Sequence, residues 1–222
     1  MKLKYVPLYI LGICIVMFIL QYIIPGFTES FLLFSDDIFI RPWIIITHMF
    51  LHGSGSHILY NMFALVMFGL ILESIIGSKK FAIVYFTSGI IAALGSVFFY
   101  SATLGASGAI FGILGALAIL RPKMTVFIGY IPMPMIIAAG VWVAIDLFGI
   151  LFPTNVANVA HILGLLTGVA FGLYYRKRYG EYLSGVSGSI RVNEREIEKW
   201  ERRWMHHRNE KRISFLQYLQ SF

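Results

Sequence analysis

Glycines recur at helical spacing in two apolar stretches of this 222-residue chain, which read GASGAIFGILG at 105–115 and HILGLLTGVAFG at 161–172. Residues three or four apart share one face of a helix, so each stretch is expected to present a smooth stripe. The stripes consist of Gly105, Gly108, Gly112 and Gly115 in the first stretch, and of Gly164, Gly168 and Gly172 beside His161 in the second. Small residues let helix backbones approach closely in lipid, so the two stretches are predicted to pack together.

Ser107 and His161 are the chemically capable side chains of these two helices. Ser107 lies near a helix start, where backbone N–H groups are free and the dipole favours negative charge. His161 can accept a proton in its neutral form. A serine alone in such a helix is normally a packing residue, and a lone histidine can be a packing or relay residue. Together on matched stripes, they predict a nucleophile and its general base.

A third apolar stretch supplies hydrogen-bond donors. His57 and Asn61 are four residues apart and so share a helix face. With the backbone N–H of Ser107 they could form an oxyanion hole, which stabilises the charge developing on a carbonyl under attack. The plainer alternative is a hydrogen-bonding pair between helices, with no catalytic role.

Composition indicates a membrane protein. The chain is 58% hydrophobic and 13% charged, whereas soluble domains carry about 25% charged residues. Several apolar runs approach 20 residues, the length that crosses a bilayer core of about 30 Å. They extend nearly from end to end, which excludes a signal peptide followed by a soluble domain. The six predicted spans are 6–24, 57–76, 81–100, 105–121, 131–152 and 156–175.

Between the first two spans lies a long loop, 25–56, whose sequence is only partly polar. Irregular backbone at membrane depth must pack on protein or line a wet cavity. We expect this loop to lie in the interface or to dip partway into the bilayer, with Trp43 as an interfacial anchor.

Basic residues in the short loops predict the orientation, because Lys and Arg collect on the cytoplasmic side. All basic clusters fall on one side if there are six spans, and both termini are then cytoplasmic. The clusters are Lys2 and Lys4, Lys79 and Lys80, Arg121 and Lys123, and Arg176 to Arg178.

The net charge of +7 is concentrated near the C-terminus, where 176–222 hold 11 of the 18 Lys and Arg. Beside a membrane, this favours anionic lipid over nucleic acid as the partner. We divide the chain into a six-helix transmembrane domain, 1–178, and a basic cytoplasmic tail, 179–222. Within the tail, 194–208 has the spacing of an amphipathic helix on a membrane surface, and a solvated disordered tail is the alternative.

Three segments together are similar to the rhomboid family: HMFLHGSGSHILYN at 48–61, GASGAIFG at 105–112 and NVAHILGLLTG at 158–168. The resemblance covers roughly residues 5–175. It implies an all-α polytopic membrane protein, a six-transmembrane-helix bundle with a membrane-associated loop between helices 1 and 2. It also implies a serine endopeptidase that cleaves transmembrane helices of single-span proteins. No cofactor and no metal are expected.

The resemblance also implies roles for individual residues. Ser107 matches the nucleophile, His161 the base, and His57 with Asn61 the oxyanion-stabilising pair. Further matches at or near the site are structural: Gly105, Gly108 and Gly164, Phe111, Asn158, His48 and His52. Glu73 matches a structural acid toward the cytoplasmic end of the second span. Phe111 stands where many members have a stacking tyrosine, and Arg41-Pro42-Trp43 replaces a usual Trp-Arg pair.

We expect a Ser–His dyad rather than a triad, because Asp146 on the fifth span looks too deep to orient His161. The main alternative is an inactive rhomboid-like scaffold that binds transmembrane helices, against which the intact Ser107–His161 pair argues. A metal site at His48 and His52 lacks the Glu of the H-E-x-x-H pattern. A transporter lacks matched broken helices in its two halves. The short N-terminus suggests a prokaryotic cell membrane.

Overall fold

A computed structural model describes residues 4–152 and 156–187, with side chains up to Lys177. The chain divides into two compact units, Met1–Tyr179 and Gly180–Phe222. The helices that carry the candidate site residues lie in the first unit or begin there. The predicted amphipathic segment 194–208 lies outside the described residues.

Helices dominate the described residues. The elements in chain order are α1 (Val6–Ile23), α2 (Phe27–Phe31), β1 (Leu33–Phe34), α3 (Ile44–Thr47), α4 (Gly55–Ile76), α5 (Ser78–Ser96), β2 (Ala102–Thr103), α6 (Ser107–Leu120), β3 (Thr125–Ile128), β4 (Ile131–Pro134), α7 (Met135–Leu151) and α8 (Asn158–Ser187). Short 3₁₀ turns at Ser35–Asp37 and His48–Phe50 flank α3.

Helix α4 begins and ends at residues suited to these places. The Ser54 hydroxyl accepts a hydrogen bond from the backbone N–H of His57 at 3.1 Å, which satisfies one of the free amides of the first turn. Gly77, with φ of 82°, ends the helix in a conformation that other residues rarely adopt. Because α5 starts directly afterwards at Ser78, the third span begins three residues earlier than predicted and ends at Ser96.

Helix α6 is the centre of the bundle. Eleven of its fourteen residues are buried, as expected of a helix that is apolar on all sides. It packs against α4, α5 and α7, and its glycines lie against α8. Helix α6 is therefore held from several directions, which makes the helix a rigid support for a side chain such as that of Ser107.

Helices α6 and α8 run parallel in backbone contact. A Cβ added to Gly164 would lie 2.0 Å from the carbonyl oxygen of Gly108, and one added to Gly168 would lie 1.9 Å from that of Gly112. The residues of each pair are 56 positions apart in the sequence, so the two helices run in the same direction. The starts of α6 and α8, which carry Ser107 and His161, consequently meet at the same end of the bundle.

The predicted fifth span is shorter than expected. Residues 131–134 form the second strand of an antiparallel hairpin with β3, and the helix begins only at Met135. Pro132 and Pro134 lack the N–H that a continuing helix needs, whereas a strand at a sheet edge tolerates them. The hairpin turns at Gly129, where φ is 60°.

The segment between α1 and α4 is structured and tied to its neighbours. Strand β1 pairs with β2 just ahead of α6, and the Trp43 indole donates to the Ser30 carbonyl at 3.3 Å. Gln21 of α1 makes a two-way amide pair with His52: its Oε1 accepts from the His52 N–H at 3.0 Å, and its Nε2 donates to the His52 carbonyl at 3.3 Å. Phe39 remains 90% exposed.

Among the described residues, three helices are long and apolar enough to cross a membrane: Val6–Ile23, Gly55–Ile76 and Asn158–Lys177. The helices Ser107–Leu120 and Met135–Leu151 are apolar but shorter. The chain is therefore a helical membrane bundle, and the count of six spans stays a prediction.

Candidate active site

Ser107 and His161 meet at the starts of α6 and α8. Nε2 of His161 lies 2.8 Å from the Ser107 hydroxyl oxygen, which is hydrogen-bond distance. Both residues are partly buried. The parallel register of the two glycine-lined helices produces this contact, since neither side chain is long enough to cross a wider gap. The arrangement allows the hydroxyl to donate its proton to the imidazole.

Two further side chains hold the His161 ring. Phe111, one turn along α6 from Ser107, stacks on it with ring centroids 4.3 Å apart and planes 7° from parallel. Asp146 of α7 lies on the other ring nitrogen, with its Oδ1 2.9 Å from Nδ1. The imidazole is thus fixed on one face and at both nitrogens.

The expectation that Asp146 is too deep to reach His161 was wrong. Asp146 lies five residues before the end of α7, and His161 lies three residues after the start of α8. At 1.5 Å per residue, these are depths of about 7 Å and about 5 Å from neighbouring helix ends. Only six residues, 152–157, separate the two helices, and counting depth from that connection would have paired Asp146 with His161.

His57 approaches the site beside Gly105. A Cβ on Gly105 would come within 2.9 Å of Nε2 and Cε1 of the His57 ring, and the glycine has a φ of +119°. Both facts require glycine there, and they place Gly105 before the helix rather than on its stripe. Nδ1 of His57 accepts a bond from the Gly53 N–H at 3.4 Å. In the neutral ring the proton then sits on Nε2, which faces Gly105, two residues ahead of Ser107.

Asn61 lies one turn further along α4. Its Nδ2 donates to the His57 carbonyl at 2.9 Å, which uses one of the two amide hydrogens. The Ser107 N–H belongs to the first turn of α6, whose amides have no partner within the helix. The structure thus places the His57 ring beside Gly105 and leaves one Asn61 amide hydrogen, one turn along α4, without a bond to the His57 carbonyl.

His48 and His52 support the loop behind His57. His48 Nδ1 donates to the Ile44 carbonyl at 2.9 Å, and its own carbonyl accepts from the Gly105 N–H at 2.9 Å. The His52 ring packs edge-on against His57 at 5.1 Å. Burial lowers the pKa of His48 and that of His52 to about 4 each, so both rings are neutral at pH 7.

The remaining residues that matched the family have structural positions. Gly108 faces α5, where a Cβ would lie 2.6 Å from that of Ala92. Asn158 opens α8, donates to the Val156 carbonyl at 3.1 Å and packs on Gly149. Glu73 is far along α4 from the site, and its Oε1 accepts from the Val6 N–H at 3.1 Å.

A small cavity adjoins Ser107. Its volume of about 20 Å³ is enough for roughly one water molecule. Its walls include the side chains of small residues of α5 and α6, among them Ala92, Ala93 and Ala109, with His48 and Thr103 adding polar groups. The reactive oxygen therefore has a confined space beside it with room for water or a small side chain.

Fold and site together define a multi-pass membrane protein that holds a serine–histidine pair within its helical bundle. Comparison with known families agrees, because the family model described as "Rhomboid domain" matches residues 41–178. The chain belongs to the rhomboid family.

Its relatives include bacterial and organellar proteins. The putative rhomboid protease YdcA of Bacillus subtilis is 32% identical over 129 residues, which cover 57% of this chain and 63% of that protein. Rhomboid protease GlpG of Haemophilus influenzae is 30% identical over 136 residues, covering 59% and 68%. RHOMBOID-like protein 6, mitochondrial, of Arabidopsis thaliana is 34% identical over 142 residues, covering 60% and 43%.

The chain spans less than half the length of some relatives, including the Arabidopsis protein. Two of these relatives are described as proteases by name, GlpG as a rhomboid protease and YdcA as a putative one.

Proposed function

We propose that this chain is an active intramembrane serine endopeptidase, with Ser107 as nucleophile and His161 as general base. The observation that carries the proposal is the 2.8 Å contact between the Ser107 hydroxyl and Nε2 of His161. Nucleophile and base must lie within about 2.6–3.2 Å for direct proton transfer. The alternative of an inactive helix-binding scaffold gives no reason for this contact.

The first half-reaction breaks the peptide bond. As the Ser107 oxygen attacks the carbonyl carbon, its proton passes to Nε2 of His161. The resulting tetrahedral oxyanion collapses, and the imidazolium gives the proton to the departing amine. The acyl half of the substrate, which lies N-terminal to the cleaved bond, stays attached to Ser107 as an ester.

The second half-reaction uses water. A water molecule gives a proton to Nε2 and attacks the ester carbon, and the imidazolium then returns that proton to the Ser107 oxygen. The cavity beside Ser107, whose walls include polar groups of His48 and Thr103, has the volume to hold such a water. Both enzyme groups finish as they began.

His57, Asn61 and the Ser107 amide are proposed to bind the oxyanion. The glycine at 105 is what lets the His57 ring approach, since any Cβ would collide with it. Removing one such donor typically lowers kcat about 10²- to 10³-fold.

The proposed substrates are transmembrane helices of single-span proteins, entering beside α7. This helix buries only five of its seventeen residues, whereas α6 buries eleven of fourteen. Its ring contact with α4 is a single edge-on pair, Phe68 with Trp142, at 6.2 Å. Small residues near the cleavage site would fit the cavity beside Ser107, and small, helix-breaking residues such as glycine would ease local unwinding of the substrate helix.

We further propose six spans with both termini in the cytoplasm, on the distribution of basic loop residues. The exposed apolar side chains Phe39 and Ile40 support a loop in contact with lipid. Anionic lipid at the basic tail and a prokaryotic cell membrane stay predictions.

A cleavage assay in liposomes tests the proposal. Wild-type protein should cut a co-reconstituted single-span substrate, and Ser107 should be labelled by a fluorophosphonate. Ser107→Ala should lose both reactions, while Ser101→Ala, a change at an exposed serine nearby, should keep both. Cleavage that persists in Ser107→Ala would overturn the assignment. A wild type that binds substrate but is neither labelled nor active would favour the scaffold.

A further inference from the structure

Asp146 is a buried acid aimed at the side of His161 that faces away from Ser107. The residue is 3% exposed, and its Oδ1 lies 2.9 Å from Nδ1 of His161. The two residues come from different helices, α7 and α8, so their contact is a feature of the folded bundle.

A packing role does not account for this carboxylate. Acidic side chains within membrane helices are costly and are retained mainly where they serve a function. Asp146 is the only charged residue between Met135 and Leu151. Within the described part of the chain its second oxygen, Oδ2, has no hydrogen-bond partner. The hydrogen bond to Nδ1 of His161 is therefore what offsets the burial of the Asp146 carboxylate. An apolar residue would fill the same space at a lower cost in free energy.

The other contacts of His161 do not fix the in-plane rotation or the tautomer of its ring. Stacking on Phe111 fixes the plane of the ring, but a stacked ring can still rotate within that plane. The neutral ring also has two tautomers, and only the Nδ1–H form leaves Nε2 free to accept the Ser107 proton. A hydrogen-bond acceptor at Nδ1 restrains the in-plane rotation of the ring and favours the Nδ1–H tautomer.

We propose that Asp146 is the positioning residue for His161, an inference that rests on the proposed function for its catalytic meaning. The carboxylate accepts the Nδ1–H bond, holds Nε2 toward Ser107, and balances the imidazolium that forms during acyl transfer. It exchanges no proton and does not touch the substrate. The site would then work as a serine–histidine pair with an orienting acid.

Two substitutions separate orientation from structure. Asp146→Asn keeps the shape and can present an N–H to Nδ1, which favours the wrong tautomer. Asp146→Leu removes the buried charge but leaves the Nδ1–H of His161 without its acceptor, and these two changes act on the thermal midpoint in opposite directions. Both should lower kcat by about 10- to 100-fold with little change in KM, because a misplaced base weakens the chemical step rather than binding. A protein as stable as wild type but slower excludes a purely structural role.

Glu73→Gln is the matched control. It makes the same acid-to-amide change at another buried carboxylate, one that bonds a backbone N–H of α1. The midpoint is expected to change and kcat to stay at the wild-type value.

Nitrogen NMR of ¹⁵N-histidine protein gives a readout independent of cleavage. The His161 signal, assigned by its loss in His161→Phe, should report the Nδ1–H tautomer in wild type and a shift toward the Nε2–H form in Asp146→Asn. An unchanged tautomer, or wild-type kcat in both Asp146 variants, would overturn the inference. If the tautomer shifts but wild type cuts no substrate, the positioning inference stands and the proposed protease activity fails.

Discussion

At the scale of single residues, the site depends on how firmly one imidazole is held. Ser107 sits on the most buried helix and needs little further support. His161 lies at the start of α8, and three side chains fix it: Ser107, Phe111 and Asp146. The reactivity of the pair is therefore expected to depend on the residues around the histidine more than on those around the serine.

Phe111→Ala tests the stacking contact. Losing the ring 4.3 Å from His161 frees the imidazole to tilt out of its plane. We expect kcat to fall by about tenfold or more, since small misplacements of a catalytic group are costly. Phe111→Tyr keeps the stack and should retain most of the activity. Steady-state cleavage in liposomes measures both, and equal rates for Phe111→Ala and wild type would contradict the role.

At the scale of elements, the separation of α6 and α8 sets the distance between Ser107 and His161. The same close approach recurs at two levels, Gly164 on Gly108 and Gly168 on Gly112. Any side chain at these points must push the helices apart. Because the helices are parallel, separating them at Gly168 is expected also to separate their first turns, where Ser107 and His161 meet.

Gly168→Ala is predicted to abolish the proposed protease activity, although Gly168 lies two turns from His161. Its methyl group would lie 1.9 Å from the Gly112 carbonyl oxygen. Such overpacking typically costs about 1–3 kcal/mol, and the widened gap should break the Ser–His contact. The measurements are the thermal midpoint and the rate of fluorophosphonate labelling.

Gly140→Ala is the control for that substitution. Gly140 lies in α7 with nothing within 4 Å of an added Cβ. Alanine is favoured over glycine in a helix by about 1 kcal/mol, so the midpoint should hold or rise slightly. Equal behaviour of the two variants would show that the glycine contact does not set the site.

The sequence predicted the packing of the helices well and the positions of single residues less well. Glycine spacing predicts that α6 and α8 pack together, because small side chains leave a readable period. It placed Gly105 on the helix, however, since spacing does not reveal a φ of +119°. Asp146 was missed because its partner is fifteen residues away on another helix, and a lone acid has no period at all. The hairpin over 125–134 was missed because apolar strands and apolar spans have similar composition.

For the molecule as a whole, the topology depends on which helices cross the membrane. The short α6 and α7 and the Lys-bearing α5 fall short of the length and hydropathy that mark a clear span. Short helices can cross when they are shielded by neighbours, and the burial of α6 supplies such shielding. Basic loops then determine the orientation.

Cysteine mapping checks the six-span topology. Cys14 is the only cysteine and is fully buried, so Cys14→Ala gives a clean background for single cysteines. In intact cells an impermeant maleimide should label Asp36→Cys, between α1 and α4. Lys79→Cys and Tyr130→Cys should react only after the membrane is opened. Labelling of Lys79→Cys and Tyr130→Cys from opposite sides would require an odd number of spans between them.

The amide pair of Gln21 with the His52 backbone bears on how this protein could be recombined with its relatives. A glutamine that both donates to and accepts from the backbone of one residue imitates the paired hydrogen bonds between two β-strands, with a side chain replacing one strand. That rung joins α1, which precedes the matched residues 41–178, to the loop that supports His57. A chimera cut at residue 41 would exchange the catalytic helices without this tie. The natural module for grafting therefore begins at Val6, and a donor sequence needs an amide side chain at the position of Gln21.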